Sequence, residues 1–415
     1  MRFGINTLDD VQVKGKTTLV RIDINQPIDR EKNILKDITR VRACVPTIRE
    51  LSDKGAKVVL LAHQGSDIEY KNFYTTEPHS KVLAELLGRE VKFIDDVCGP
   101  AARAAIQALR DGEILLLDNV RFVSEEQTLF ECHLKLTHEQ QAQTLLVRKL
   151  APLADLYVCD AFAAAHRDQP SLCGFEQVLP SAMGRLFEEE FCVISGIMEK
   201  PVRPCIFILG GAKIADAFLM MSTVLKSKAA DYIITGGLVA HIMLWAKGVE
   251  IGEASRSFIH NQGYDDFISV AKGILEDYHD KIALPADLAY VDGETRFDVG
   301  IEDLPDDKLL VDIGKETARR YQQLICNAKT VFVNGPMGVF EKAPSEFGTK
   351  TIWEALGDTN AYTVIGGGDS ITAANKYNVR DKINYICTGG GALIRFLTGE
   401  ELPVVKALRH GSKIK

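Results

Sequence analysis

A chain of 415 residues exceeds what one hydrophobic core comfortably holds, which favours two domains of roughly 150 to 200 residues each. With 46% hydrophobic residues, 26% charged residues and a formal charge of −8, the composition excludes disordered and fibrous classes and argues against nucleic acid, whose binders usually carry a net basic face. No apolar run approaches the ~20 residues of a membrane helix, and residues 1–10 lack the apolar stretch of a secretory signal. A cytoplasmic protein without a membrane partner is therefore expected.

Nine cysteines, scattered from Cys44 to Cys387 without a C-x-x-C pair, fit neither a disulfide framework nor a zinc site and read as reduced thiols, most of them buried. Short apolar runs alternate with longer stretches of helical periodicity, the signature of parallel sheets with crossover helices. In chain order, residues 18–25, 57–63, 91–94, 113–118 and 154–160 predict five strands. Residues 181–197 then predict a helix joining two domains, and 204–209, 232–235, 281–284, 330–333, 363–365 and 383–386 predict six more strands. Runs so uniformly apolar imply sheets covered on both faces. The expected architecture is α/β: two doubly wound parallel-sheet domains joined by a helical hinge, with a cleft between them. The expected bounds are 1–184 for an acid-binding domain, 185–395 for a nucleotide-binding domain, and 396–415 for a tail packing back on the first.

Ligands of such sheets sit beyond the carboxyl ends of the strands, and the two halves differ there. The first half ends its strands in polar and charged groups: Arg21, Asp23 and Asn25; His63 and Gln64; Asp118, Asn119 and Arg121; Asp160, with His166 and Arg167 beyond. The second half ends them in glycine clusters: 210–211 before Ala212 and Lys213, 236–237, Gly335 between Asn334 and Pro336, 366–368 before Asp369, and 389–391. Glycine lets a backbone approach a ligand closely, and a helix starting behind it aims unpaired N–H groups at an anion. One such cluster is an ordinary turn, but a succession of them suggests a polyphosphate, while Arg40, Arg121 and Arg167 suit a small, doubly anionic acid. No G-x-x-x-x-G-K-[ST] loop or G-x-G-x-x-G helix start occurs, and His166-Arg167-Asp168 lacks the rest of the protein-kinase catalytic loop.

Taken in order, these segments resemble the phosphoglycerate kinases, and their archaeal branch in particular. Residues 20–27 (VRIDINQP) match the R-x-D-x-N-x-P opening, and 40–48 (RVRACVPTI) the arginine-led helix after it. The segments 118–122, 160–167, 210–213, 334–341 (NGPMGVFE), 366–369 and 388–391 follow in the family's order, so the resemblance spans nearly the whole chain. It implies that Asp23, Asn25, Arg40, His63, Gln64, Gly65, Ser66, Arg121 and Arg167 hold 3-phosphoglycerate. It assigns ATP or ADP to Gly211, Ala212, Lys213, Gly236, Gly237, Asn334, Pro336, Gly338, Val339, Glu341, Gly366, Gly367, Gly368, Asp369 and Ser370. Glu341 is expected on the ribose, and Asp369 on a Mg2+ ion carried by the nucleotide. Arg40, Lys213, Gly367 and Gly390 are implied in the transfer itself, in a monomer or homodimer.

The sequence departs from the family at Ser66, which replaces a substrate-binding arginine and leaves Lys71 as the nearest compensating charge, and at Ala217, where many members carry a second lysine. Lys315 and Cys387 replace a usual proline and serine. Two other readings stay open on the residues: a paralogue acting on a different small anionic acid, and a non-catalytic binding protein.

Overall fold

Uniformly buried apolar runs set the frame of the computed structural model, which describes residues 1–65, 73–127 and 134–414. The first strands are β1 (Thr17–Arg21), the hairpin β2 (Ile28–Asp29) and β3 (Ile34–Leu35), β4 (Lys57–Leu61), β5 (Lys92–Ile94), β6 (Ile114–Leu117), β7 (Leu156–Cys159) and β8 (Ser181–Met183). Apart from the hairpin, they form a parallel sheet in the order β5-β6-β4-β1-β7-β8. All four residues of β6 and of β7 are buried, as strands covered on both faces require. The helix Thr39–Asp53 lays Val41, Cys44, Ile48 and Leu51 on one face by its three-and-four spacing and buries them against the sheet.

The later strands are β9 (Cys205–Leu209), β10 (Tyr232–Thr235), β11 (Ile282–Ala283), β12 (Asp287–Asp292), β13 (Thr295–Gly300), β14 (Leu310–Ile313), β15 (Thr330–Asn334), β16 (Tyr362–Gly366) and β17 (Tyr385–Ile386). Six of them make a second parallel sheet, β11-β10-β9-β15-β16-β17. Its winding starts in the middle, runs out to β11, then returns to β15 and runs the other way, so the switch point lies between β9 and β15. β12, β13 and β14 form a separate antiparallel sheet.

The chain divides into two compact units, Met1–Cys192 with Glu401–Lys415, and Val193–Glu400. The helix Arg185–Glu199 carries the chain from one to the other. In the first unit, the C-terminal helix Pro403–Gly411 buries Val404, Val405, Ala407 and Leu408, and Ser412 Oγ accepts from the Asn6 amide at 2.9 Å.

The structure departs from expectation in three places. Residues 181–183 are not helical: Ser181, Ala182 and Met183 are fully buried and pair with Tyr157, Val158 and Cys159 as a sixth strand, and the helix begins only at Arg185, after Gly184. The antiparallel sheet was not anticipated, because β13 is only partly buried along its length and shows no apolar run. The strand expected over 18–25 stops at Arg21; beyond it Ile22 and Ile24 stay in the core, while Asp23 and Asn25 belong to the site described next.

Candidate functional site

In the first sheet the winding reverses at β1, between β4 and β7, and the side chains at these strand ends interlock. Arg21, 1% exposed, donates from Nε to Ser171 Oγ at 2.9 Å, from Nη1 to the Ile22 carbonyl at 2.5 Å, and from Nη2 to His63 Nδ1 at 3.1 Å. A guanidinium cannot accept, so His63 Nδ1 is the acceptor and its ring proton sits on Nε2. Burial, then the charges of Arg21, Arg121, Arg167 and Arg40, push the His63 imidazole well below its usual range. It is a neutral ring whose remaining nitrogen is a donor.

Around this pair, Asp23 accepts from Arg40 Nη1 at 2.5 Å and from the Asn25 amide at 3.1 Å. Asn25 and Gly65 bond reciprocally, Gly65 N to Asn25 Oδ1 at 3.0 Å and Asn25 Nδ2 to the Gly65 carbonyl at 3.3 Å. Gln64 does the same with the backbone of Gln26, at 2.8 and 3.1 Å. Asn119 ties Gln64 and Arg121 together, accepting from both backbone amides at 3.2 and 3.0 Å, and Arg121 Nη1 donates to the Gly65 carbonyl. A hollow of about 340 Å³ opens beside them, lined by Asn25, Gln26, Pro27, Ile28, Arg30, Gln64, Gly65 and Tyr74. Of the expected acid-binding residues, Asn25, Gln64 and Gly65 line it, while Asp23, Arg121 and, through Asp23, Arg40 brace those walls. His63 is hydrogen-bonded to Arg21, and the Arg167 charge acts on it. Ser66 and Lys71 lie outside the described residues.

The second unit builds its strand ends from backbone. At the switch point the Gly210 amide donates to the Asn334 carbonyl at 3.0 Å and the Gly211 amide to the Pro336 carbonyl at 2.8 Å, locking two turns together. Gly367, at φ +85°, leaves no room for a side chain: a Cβ there would stand 2.6 Å from Asn334 Oδ1. Gly210, Gly211, Ala212, Lys213, Asn334, Gly335, Gly367, Gly368, Asp369 and Ser370 line one recess. The helices Ile214–Lys226 and Gly368–Lys376 start at it, which brings unpaired N–H groups and two positive dipole ends to one place. Lys213 caps the first helix and Asp369 stands in the first turn of the second.

Adjoining it, a cavity of about 250 Å³ is lined by Gly211, Ala212, Gly237, Pro336, Gly338, Val339, Glu341 and Asp369 together with Leu238, His241, Ser255, Phe258, Leu309, Leu310, Val311 and Phe340. The apolar half of that wall was not foreseen. Three of its residues come from β14 and the approach to it, the sheet the sequence pattern did not reveal. The Val339 amide donates to the Val311 carbonyl at 2.8 Å, which seats the 337–341 loop on that sheet. Gly236 and Gly366 line neither space. A Cβ on Gly236 would strike Met337, and one on Gly366 would strike Leu393, so both serve close packing. Gly390, at φ +49°, opens the short helix Gly391–Leu397 and lines neither space.

A largely apolar cavity beside a glycine-built recess at two helix N-termini, on one of two doubly wound sheets, marks an α/β protein of the nucleotide-binding kind. The comparisons narrow that class. The model of the phosphoglycerate kinase family matches residues 8–400. The phosphoglycerate kinase of Methanothermobacter thermautotrophicus is 46% identical over 408 residues, covering 98% of this chain and 97% of that one. That of Methanothermus fervidus is 45% identical over 411 residues, covering 99% and 98%. The crystal structure of the phosphoglycerate kinase from Pyrococcus horikoshii superposes with a TM-score of 0.84 at 37% identity, covering 98% of this chain and 99% of that one. The chain belongs to the phosphoglycerate kinase family.

Proposed function

We propose that this chain transfers a phosphoryl group reversibly between 1,3-bisphosphoglycerate with ADP and 3-phosphoglycerate with ATP, a carboxyl group being the acceptor. The observation that carries the proposal is the division of labour between the strand ends: cationic and amide side chains in one unit, backbone amides with Lys213 and Asp369 in the other. A carboxylate with a reference pKa near ~3.5 is already an anionic nucleophile at neutral pH, so no general base is needed. The site has to position two anions and neutralise the charge that spreads over the phosphoryl oxygens.

In this reading His63 Nε2–H, Asn25, Arg121 and Arg167 grip the acid, and Arg40, held by Asp23, faces the phosphoryl group. The amides of 210–213 and 367–370 take the nucleotide phosphates, Lys213 the migrating group, Glu341 the ribose, and the apolar slot the base. Magnesium fits what is present, because the ion prefers one or two protein carboxylates with phosphate and water oxygens, and Asp369 offers a single exposed carboxylate at the recess. Bound there with the nucleotide, it would supply charge neutralisation.

The test is a coupled assay of ADP formation from ATP and 3-phosphoglycerate. Arg40→Met and Lys213→Met should each lower kcat by roughly a hundredfold or more while leaving thermal stability near wild type. A wild-type protein that binds ATP without turnover would sink the proposal and favour a non-catalytic role.

A further inference from the structure

Among the described residues, one group outside the site above brings three metal-ligating atoms of different types together: His138, Asp168 and Cys173, whose ligand atoms all lie within 4.8 Å of one another. We infer that these three side chains form a binding site for a zinc-class transition-metal ion in the first unit, clamping the segment that follows Arg167. The absence of a C-x-x-C pair removes the common all-cysteine pattern, but not a mixed site assembled from separate turns of chain.

One pair has the spacing of adjacent ligands. His138 Nε2 and Asp168 Oδ1 stand 3.3 Å apart, longer than a good charge-assisted hydrogen bond. Two ligands about 2.0 Å from a zinc ion at a tetrahedral angle stand about 3.3 Å apart. Asp168 Oδ1 also accepts from Gln141 Nε2 at 2.5 Å, the kind of outer contact that orients a ligating carboxylate. His138 is the first residue of a short helix whose start is fixed by a capping box between Thr137 and Gln140, so the ring sits on a determined backbone. Cys173 closes the short helix Pro170–Cys173, is fully buried, and its Sγ contacts the Arg167 carbonyl at 3.8 Å.

The donor set names the ion. Thiolate sulfur with imidazole nitrogen selects zinc, cobalt or copper over magnesium and calcium, and a set of three protein ligands leaves a fourth position for water. Asp168 keeps 43% of its side chain exposed, which leaves that position a path to solvent. Binding would form a metal–sulfur bond with loss of the thiol proton to solvent. With ligands at positions 168 and 173, the ion would tie both ends of the segment next to Arg167. The inference does not depend on the proposed reaction.

Cobalt(II) titration of the metal-stripped full-length protein reads the site directly. A thiolate-to-cobalt charge-transfer band should rise and saturate with added Co2+, and Zn2+ should abolish it. Cys173→Ser should remove the band, and His138→Ala should weaken Co2+ binding roughly tenfold or more without unfolding the chain, as checked by circular dichroism. Should Cys173→Ser fail to fold, His138→Ala alone still decides. No charge-transfer band in the wild type overturns the inference. So does a band unaltered by His138→Ala, which would mark an adventitious ion only.

Discussion

On the proposed function, the two units solve the same problem, holding an anion at the end of a parallel sheet, with different materials. The first packs charged and amide side chains into its strand ends and satisfies them against one another: Arg21 with His63 and Ser171, Arg121 with Gly65, Asn119 with Gln64. The second offers main chain, brought close by glycine at positions such as Gly211, Gly237 and Gly367, all at positive φ. A side-chain site can be tuned in charge and reach, but each buried polar group depends on its partner. A backbone site owes its contacts to main-chain amides, with few titrating side chains such as Lys213 and Asp369 beside them, and its weakness is steric. The first should fail when an atom is removed, the second when one is added.

Arg21→Met tests the first half of that contrast and should have the largest effect. It strips a buried cation from three acceptors and leaves Glu126, whose carboxyl is also buried, without the larger of the two positive charges that act on it, Arg121 remaining. Breaking such a group typically costs about 3–5 kcal/mol, read as a fall in the urea midpoint. A loss under about 1 kcal/mol would show that the network is incidental to stability.

Gly237→Ala tests the second half, with a smaller expected cost. The residue sits at φ +53°, and a Cβ would stand 2.8 Å from the Gly211 amide nitrogen, so either the turn or the cradle must move. Overpacking and backbone strain together should cost about 1–3 kcal/mol. Nucleotide affinity, measured calorimetrically, should fall while 3-phosphoglycerate affinity stays put. Equal losses for both ligands would break the comparison.

The sequence made the second site easier to anticipate than the first. Glycine after an apolar run is a strong local signal with one main physical reason behind it, so residues 210–213 and 366–370 are legible in the sequence alone. The apolar wall did not. Leu238, Phe258, Leu309 and Phe340 are ordinary hydrophobic residues, and only their convergence from distant segments makes a slot. In the first unit, Arg21, His63, Asn119 and Arg121 were legible as polar residues at strand ends. That Ser171 bonds Arg21 and that the Arg21 charge acts on Glu126 was not, because both residues come from short helical turns far away in sequence. The strand at residues 181–183 was lost for a related reason: three residues carry too little periodicity to outweigh the helical stretch that follows.

The smallest expected effect separates the units by pH. Glu126 Oε1 accepts from the Ser171 amide while Oε2 has no hydrogen-bond partner, and burial, opposed by the Arg21 charge, pushes its carboxyl up from 4.5 to about 7. Asp160 is likewise pushed up to about 7, by burial opposed by its hydrogen bond to Thr47. A carboxyl with a raised folded pKa binds its proton more tightly in the native state. Its stabilising contribution is therefore complete below the unfolded value near 4.5 and is lost as pH rises through 7. In the second unit His241 moves the other way, to about 4 by burial, so its contribution is present above the unfolded value of 6.5 and disappears as pH falls through 4. Glu126→Gln mimics the protonated carboxyl at every pH. Between pH 5 and 8 the stability difference between this variant and wild type should shift in the variant's favour by about 1–2 kcal/mol, whatever constant offset the amide introduces. His241→Phe should produce its change between about pH 4 and 6.5 instead, the variant becoming relatively more stable as the solution is acidified. A flat Glu126→Gln difference across that range would mean that Arg21 neutralises the ionised carboxylate fully, and that the first unit's network is no more pH-sensitive than the second unit's glycine turns.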